Sequence, residues 1–212
     1  ARTQAKLVVF TNPHNPSGRM LPPNRVMELV EICQKYGAVL LMDEVYAEFH
    51  ESWDPQALAE ATKAGLLVRT SSLTKVMGFG PLRIGWVLAS EEQINAILQL
   101  TNYTYAVHGA INERLGDFVW LERYRFVEEA RRRADFNLNI VRRFISSRQD
   151  ISWVDPEAGI LGFLRIHNAE DTTAFAHYLR DELGVLVVPG HFFGEPQYIR
   201  IGFGQPSDIV RK

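Results

Sequence analysis

Apolar positions along the chain follow two periods. Leu7-Val8-Val9-Phe10, Ala38 to Met42 and Leu66-Leu67-Val68 are short unbroken apolar runs, the pattern of strands buried on both faces. Between the first two, Val26, Leu29, Val30 and Cys33 recur at i, i+3, i+4 and i+7. That spacing predicts a helix over Asn24 to Tyr36, ended by Gly37. Asp54-Pro55 offers a capping carboxylate and a proline at the first turn of a short helix, which Gly65 stops. A further apolar run, Trp86 to Ala89, follows Leu66-Val68 with no room for a crossover helix, so the two are expected to be antiparallel. Ser90-Glu91-Glu92-Gln93 reads as a capping box, opening a helix with Ile94, Ile97 and Leu98 on one face.

From Asn112 to Arg148 there is no proline, and Val127, Ala130, Ala134, Val141 and Ile145 mark one helical stripe on a long, charged segment. The pattern then predicts a strand at Ile160 to Ile166, a helix from Thr172 to Leu183 stopped by Gly184, and a strand at Val185 to Val188. Tyr198 to Phe203 alternates. Ile199, Ile201 and Phe203 share one face and Arg200 points to the other. Ser207 to Lys212 resembles the first turn of a helix.

Composition narrows the class without naming it. The 212 residues are 46% apolar and 23% charged, as in an ordinary globular protein. A net charge of −2 argues against a dominant surface for nucleic acid or anionic membrane. No apolar run approaches the ~20 residues of a membrane span. The start, Ala1 to Lys6, lacks the apolar core of a signal peptide. Cys33 is the one cysteine, so no internal disulfide forms, which fits a reducing cytoplasm. Arg131-Arg132-Arg133 reads as a solvated helix face. There are no internal repeats and no cluster with metal-ligand spacing.

The chemistry gathers in Leu66 to Val87, LLVRTSSLTKVMGFGPLRIGWV. Ser72, Lys75 and Arg83 put a hydroxyl, an amine and a guanidinium near one glycine-punctuated loop. The hydroxyl and the guanidinium suit a phosphate or another anion. The amine is left for chemistry, and the best-known chemistry of a lysine amine is a Schiff base. Upstream, Thr11-Asn12-Pro13-His14-Asn15-Pro16-Ser17-Gly18 forms a stiff turn at the carboxyl end of a strand, where open α/β sheets bind ligands. By turn chemistry alone it is also simply a rigid turn. Asp43 sits at the tip of an apolar strand, where a carboxylate is expensive unless paired. Arg200, on an alternating strand, is either presented to a cleft or a surface arginine.

Taken together, NPHNPSG, DEVY, SSLTKVMGFGPLRIGW and the late arginine, in that order, resemble the class I and II aminotransferases, pyridoxal-phosphate enzymes of fold type I. The resemblance implies an α/β fold. Residues 1–111 would form the C-terminal part of a large cofactor domain, a mostly parallel sheet with helices on both faces. Residues 112–148 would be a long interdomain helix, and 149–212 a small α+β C-terminal domain. It implies pyridoxal 5′-phosphate as cofactor, held as a Schiff base by Lys75. Asp43 would sit at the ring nitrogen, Asn15 and Tyr46 at the ring oxygen, and Ser72 and Arg83 at the phosphate. Arg200, with Asn15, would bind the substrate carboxylate, and no metal is implied. The reaction would move an amino group between an amino acid and a 2-oxo acid, in a cytoplasmic homodimer that engages neither nucleic acid nor membrane. Lyases and synthases of the same fold share these residues, and an effector-sensing domain of a transcription regulator is a further reading. The resemblance covers only the C-terminal half of a family enzyme. Truncation at the N-terminus is therefore expected, with clipping at the C-terminus left open.

Overall fold

The protein is described from a computed structural model, covering residues 4–104, 107 and 109–211. The chain divides into two compact units. The first comprises Ala1–Asn12 and Leu21–Glu128; the second comprises Pro13–Met20 and Glu129–Lys212.

The first unit is built on β1 (Leu7–Thr11), β2 (Val39–Asp43), β3 (Leu67–Ser72) and β4 (Gly85–Leu88), in that order across one sheet. β1, β2 and β3 run parallel, and β4 returns antiparallel to β3, as the short connection requires. Helix α1 (Pro23–Lys35) connects β1 to β2, and α2 (Ala59–Lys63) precedes β3. Val26, Val30 and Cys33 of α1 close a core with Leu40 and Met42 of β2, Leu58, Ala61 and Leu67. Each large side chain buried there contributes about 1.5–3 kcal/mol. Burial also pushes the Cys33 thiol pKa up. Helix α3 (Glu91–Thr104) opens on the expected capping box: the Ser90 N–H donates to Gln93 Oε1 at 3.1 Å, and the Gln93 N–H to Ser90 Oγ at 3.4 Å.

Several expectations need correction. β1 is not buried on both faces: Leu7, Val8 and Val9 are 52%, 39% and 60% exposed, so neither face is fully covered, and among the described residues β1 is an edge strand paired with β2. The hydroxyl residues Thr70 to Ser72 continue β3 instead of ending it, since their backbone still pairs with β4. Asp54 caps a turn, its Oδ1 accepting the Gln56 N–H at 2.8 Å, and the helix itself starts only at Ala59. The segment read as one long helix is two, α4 (Ala110–Leu121) and α5 (Arg123–Ser146), parted at Glu122. No proline or glycine marks the break. Packing overrides a continuous helical propensity: Trp120 meets Trp86 edge-on at 5.2 Å, and the Arg123 guanidinium folds back over Trp120 at 4.8 Å.

The second unit begins within α5. It contains β5 (Ile151–Trp153), β6 (Leu161–Ile166), α6 (Thr173–Leu183), β7 (Val188–Pro189), β8 (Tyr198–Gly202) and the short α7 (Ser207–Val210). The sheet order is β5-β6-β8-β7, antiparallel throughout. Leu138, Val141 and Ile145 of α5 pack on Leu164, Ile199 and Phe203. Asn137, fully buried, donates to the Phe203 and Gln205 carbonyls at 2.7 and 2.8 Å and ties the helix to the chain leaving β8. Gly184 ends α6 as expected. Val185 and Leu186 stay outside any strand, and only Val188–Pro189 pairs, because two residues against β8 are all that precede the turn at Gly190. The sequence reading missed β5, which is three residues long.

Candidate functional site

In the first unit the chemistry lies at the carboxyl ends of parallel strands. Thr11 pairs in register with Asp43, and Asp43 with Thr70. Asp43 is half-buried; its Oδ1 accepts the Val45 N–H at 3.0 Å, and no cation pairs with it among the described residues. Tyr46 is buried and stacks on Phe49, with centroids 6.4 Å apart.

Glu44 secures this turn. Its carboxylate takes two hydrogen bonds from Arg69 of β3, one from Nε and one from Nη2 at 3.1 Å. Both side chains are almost wholly buried. Arg69 also donates from Nη1 to the Pro55 carbonyl at 2.8 Å, and its guanidinium lies 5.7 Å from the Trp53 ring centre. Burial raises the Glu44 pKa, and Arg69 pulls it back down only in part. Neither Glu44 nor Arg69 is given a role by the motifs. An arginine inside an apolar strand was the available signal, since a buried charge needs a partner.

The β3–β4 hairpin carries the lysine stretch. Ser72, the last residue of β3, is opposite Gly85. Its Oγ accepts the Thr74 N–H at 3.2 Å. Leu73, Val76 and Met77 are buried and pin the loop, while Lys75 between them is exposed. Among the described residues the Lys75 amine has no hydrogen-bond or ion-pair partner. Arg83 is exposed and adopts the left-handed region at φ 56°; it donates to the Gly80 carbonyl at 3.2 Å. One hairpin therefore gathers the hydroxyl, the amine and the guanidinium.

The second unit holds Asn15 and Arg200. The Pro13–Met20 segment seats on residues 156–158. The Gly18 carbonyl accepts N–H bonds from Glu157 and Ala158 at 2.9 and 3.1 Å, and Arg19 pairs with Glu157 at 2.9 Å. Gly18 has φ +69°, and a Cβ there would lie 2.7 Å from the Pro156 Cβ, so only glycine fits. Asn15 Oδ1 accepts a hydrogen bond from Arg200 Nη1 at 3.1 Å. On β8, Ile199 and Ile201 face the core and Arg200 the opposite side, as the alternation predicted. Arg200 is half-buried, and no carboxylate pairs with it among the described residues. The Phe193 ring lies under its guanidinium at 5.2 Å.

Against known proteins, residues 1–211 match the family described as aminotransferase class I and II, and the chain belongs to that family. Capreomycidine synthase of Streptomyces vinaceus is 27% identical over 99% of this chain and 54% of its own length. An aspartate aminotransferase of Thermococcus kodakarensis is 29% identical over 93% of this chain and 52% of its own. The crystal structure of a PLP-dependent aminotransferase from Streptococcus suis superposes with a TM-score of 0.90 at 28% identity, over 97% of this chain and 54% of that one. The chain thus spans about half the length of the curated relatives it matches. Among the described residues no helix is long and apolar enough to cross a membrane, and no cluster of metal-ligating side chains occurs.

Proposed function

We propose that this chain belongs to a pyridoxal-phosphate-dependent aminotransferase that moves an amino group between an amino acid and a 2-oxo acid. The observation that carries the reading is Lys75: an exposed amine without a partner among the described residues, on a hairpin that also presents Ser72 and Arg83. The donor set suits the cofactor. A hydroxyl and a guanidinium fit its phosphate, a carboxylate fits its ring nitrogen, and a primary amine fits its aldehyde carbon. When bound, the cofactor supplies an electron sink for charge developing at the substrate Cα. The chain's own groups do the rest. Ser72 and Arg83 hold the phosphate. Asp43 keeps a proton on the ring nitrogen, and Asn15 and Tyr46 bond the ring oxygen. The Lys75 amine takes a proton from the substrate Cα and returns one. Arg200 grips the substrate carboxylate with a planar fork that lysine lacks.

On the same reading, residues 1–111 belong to the cofactor domain, 112–148 to the interdomain segment and 149–212 to the small domain. The working protein is a cytoplasmic homodimer. Loading with pyridoxal phosphate and incubating with an amino acid and a 2-oxo acid tests the activity: a new amino acid and a new oxo acid should appear in equal amounts. A synthase of the same fold is the second reading, favoured by the match to capreomycidine synthase. In that case the product keeps its amino group and no second oxo acid forms.

A further inference from the structure

The aromatic face around Arg200 has a role that the motifs do not assign. Phe193 ends the short 3₁₀ turn Gly190–Phe193, and the turn is tightly held. A Cβ on Gly190 would lie 2.0 Å from the Glu195 carbonyl oxygen and 2.5 Å from that of Tyr198. The buried Thr172 hydroxyl donates to the Tyr198 carbonyl at 2.6 Å and accepts the Gly190 N–H at 3.4 Å. Phe193 in turn meets Phe163 edge-on at 5.5 Å, and Phe163 stacks on Tyr198 at 4.6 Å. Phe163 is the residue opposite Arg200 in the sheet. The ring beneath the guanidinium is therefore held by the turn that carries it and by the edge contact with Phe163.

Arg69 and Arg200 differ in what balances their charge. The buried Arg69 is neutralised by Glu44, whereas among the described residues the half-buried Arg200 meets only the neutral Asn15 amide and the Phe193 ring. An aromatic face stabilises a partly desolvated cation without occupying its hydrogen-bond donors.

We propose that Phe193 is a positioning residue: it holds the Arg200 guanidinium in place against its ring, with the remaining N–H donors left for an incoming carboxylate. This rests on the reading of Arg200 as the carboxylate clamp. The ring keeps the guanidinium plane fixed before the ligand arrives, so less ordering is needed on binding.

The probe is 3-phenylpropanoate, compared with its neutral amide, by calorimetry on the cofactor-loaded protein. Phe193→Leu should weaken the carboxylate about three- to five-fold, the order that a cation–π contact carries. Amide binding should not change. Phe193→Tyr, which keeps the ring face, should restore the affinity. In an Arg200→Met background, Phe193→Leu should have no further effect. Equal loss for the amide, or a further loss in that background, would overturn the positioning role and reduce Phe193 to a packing residue. Undiminished carboxylate binding in Phe193→Leu, with Arg200→Met still weakened, would overturn Phe193 alone. Undiminished binding in Arg200→Met would overturn the clamp itself and this role with it.

Discussion

Arg69 and Glu44 form a bidentate ion pair almost wholly removed from solvent, and the strand end that carries Asp43 is built around it. Removing one partner of a buried pair leaves an uncompensated charge, which costs about 3–5 kcal/mol. Arg69→Met should therefore destabilise the protein by that order at neutral pH. The pH dependence follows from Glu44. Its folded pKa is already raised by burial, and loss of Arg69 removes the contributions that lower it. For a carboxyl raised in the folded state, stability is full below the unfolded pKa and is lost as pH rises through the folded one. The penalty of Arg69→Met should be smaller near pH ~5 than near pH ~7.5. Urea unfolding at the two values checks it, and a larger penalty on the acid side would contradict a buried, uncompensated Glu44.

The Lys75 assignment predicts where the cofactor attaches. Borohydride reduction of the pyridoxal-phosphate-loaded protein should leave a label on the peptide containing Lys75, read by mass spectrometry. Label on Lys35 or Lys63 would refute the assignment. Lys75→Ala should abolish the label and leave the circular dichroism spectrum unchanged, because the side chain is exposed and, among the described residues, makes no hydrogen bond or ion pair.

How much of this was legible before folding depends on where the information lies. The alternation at Ile199, Arg200 and Ile201 is local, and the structure keeps it, because a strand with one buried face has a period that a sequence displays. The capping box at Ser90 and Gln93 is local too. β1 failed because its pattern states only that both faces are apolar, and what covers them depends on other segments. The break at Glu122 depends on where Trp120 and Arg123 find partners, which no helical stripe records. The residues proposed to do the chemistry were legible from their motifs. Those that hold them were not: Arg69 and Glu44 meet only across 25 residues of chain, and Phe193 comes under the Arg200 guanidinium only once the turn and β8 have folded.

Asp43 is expected to act on the rate and not on retention of the cofactor. Asp43→Asn keeps the shape and loses the charge that would hold a proton on the ring nitrogen. Turnover in the active protein should fall by orders of magnitude, while cofactor absorbance is largely kept. A variant with near-normal turnover would remove Asp43 from the electron-sink role.

Gly190→Ala should be costly. The added Cβ meets two backbone carbonyl oxygens at 2.0 and 2.5 Å, and backbone cannot swing aside as a side-chain end can. Overpacking of this kind costs about 1–3 kcal/mol. The turn must shift, and Phe193 with it, so thermal stability and carboxylate affinity should fall together. Loss of stability with unchanged affinity would show that the turn relaxes without moving Phe193.

The last prediction concerns the 212-residue chain expressed by itself. β1 leaves Leu7 and Val9 more than half exposed on a strand edge that accepts further hydrogen bonds. Large apolar side chains on α3 and α4 are equally uncovered: Leu100 is 64% exposed, Ile111 76% and Leu121 77%. Unprotected edges and contiguous apolar surface drive association. A net charge of −2 gives little repulsion to oppose it. The chain should self-associate at micromolar concentration, with the weight-average mass in sedimentation rising with loading. Leu7→Lys with Val9→Glu should shift that equilibrium toward monomer, because charges on an edge strand block strand addition. Ile111→Lys with Leu121→Glu tests the helical surface separately. If neither pair of substitutions changes the mass distribution, association does not run through these surfaces. A monodisperse monomer in the unmodified chain would show that the exposed side chains are tolerated by water.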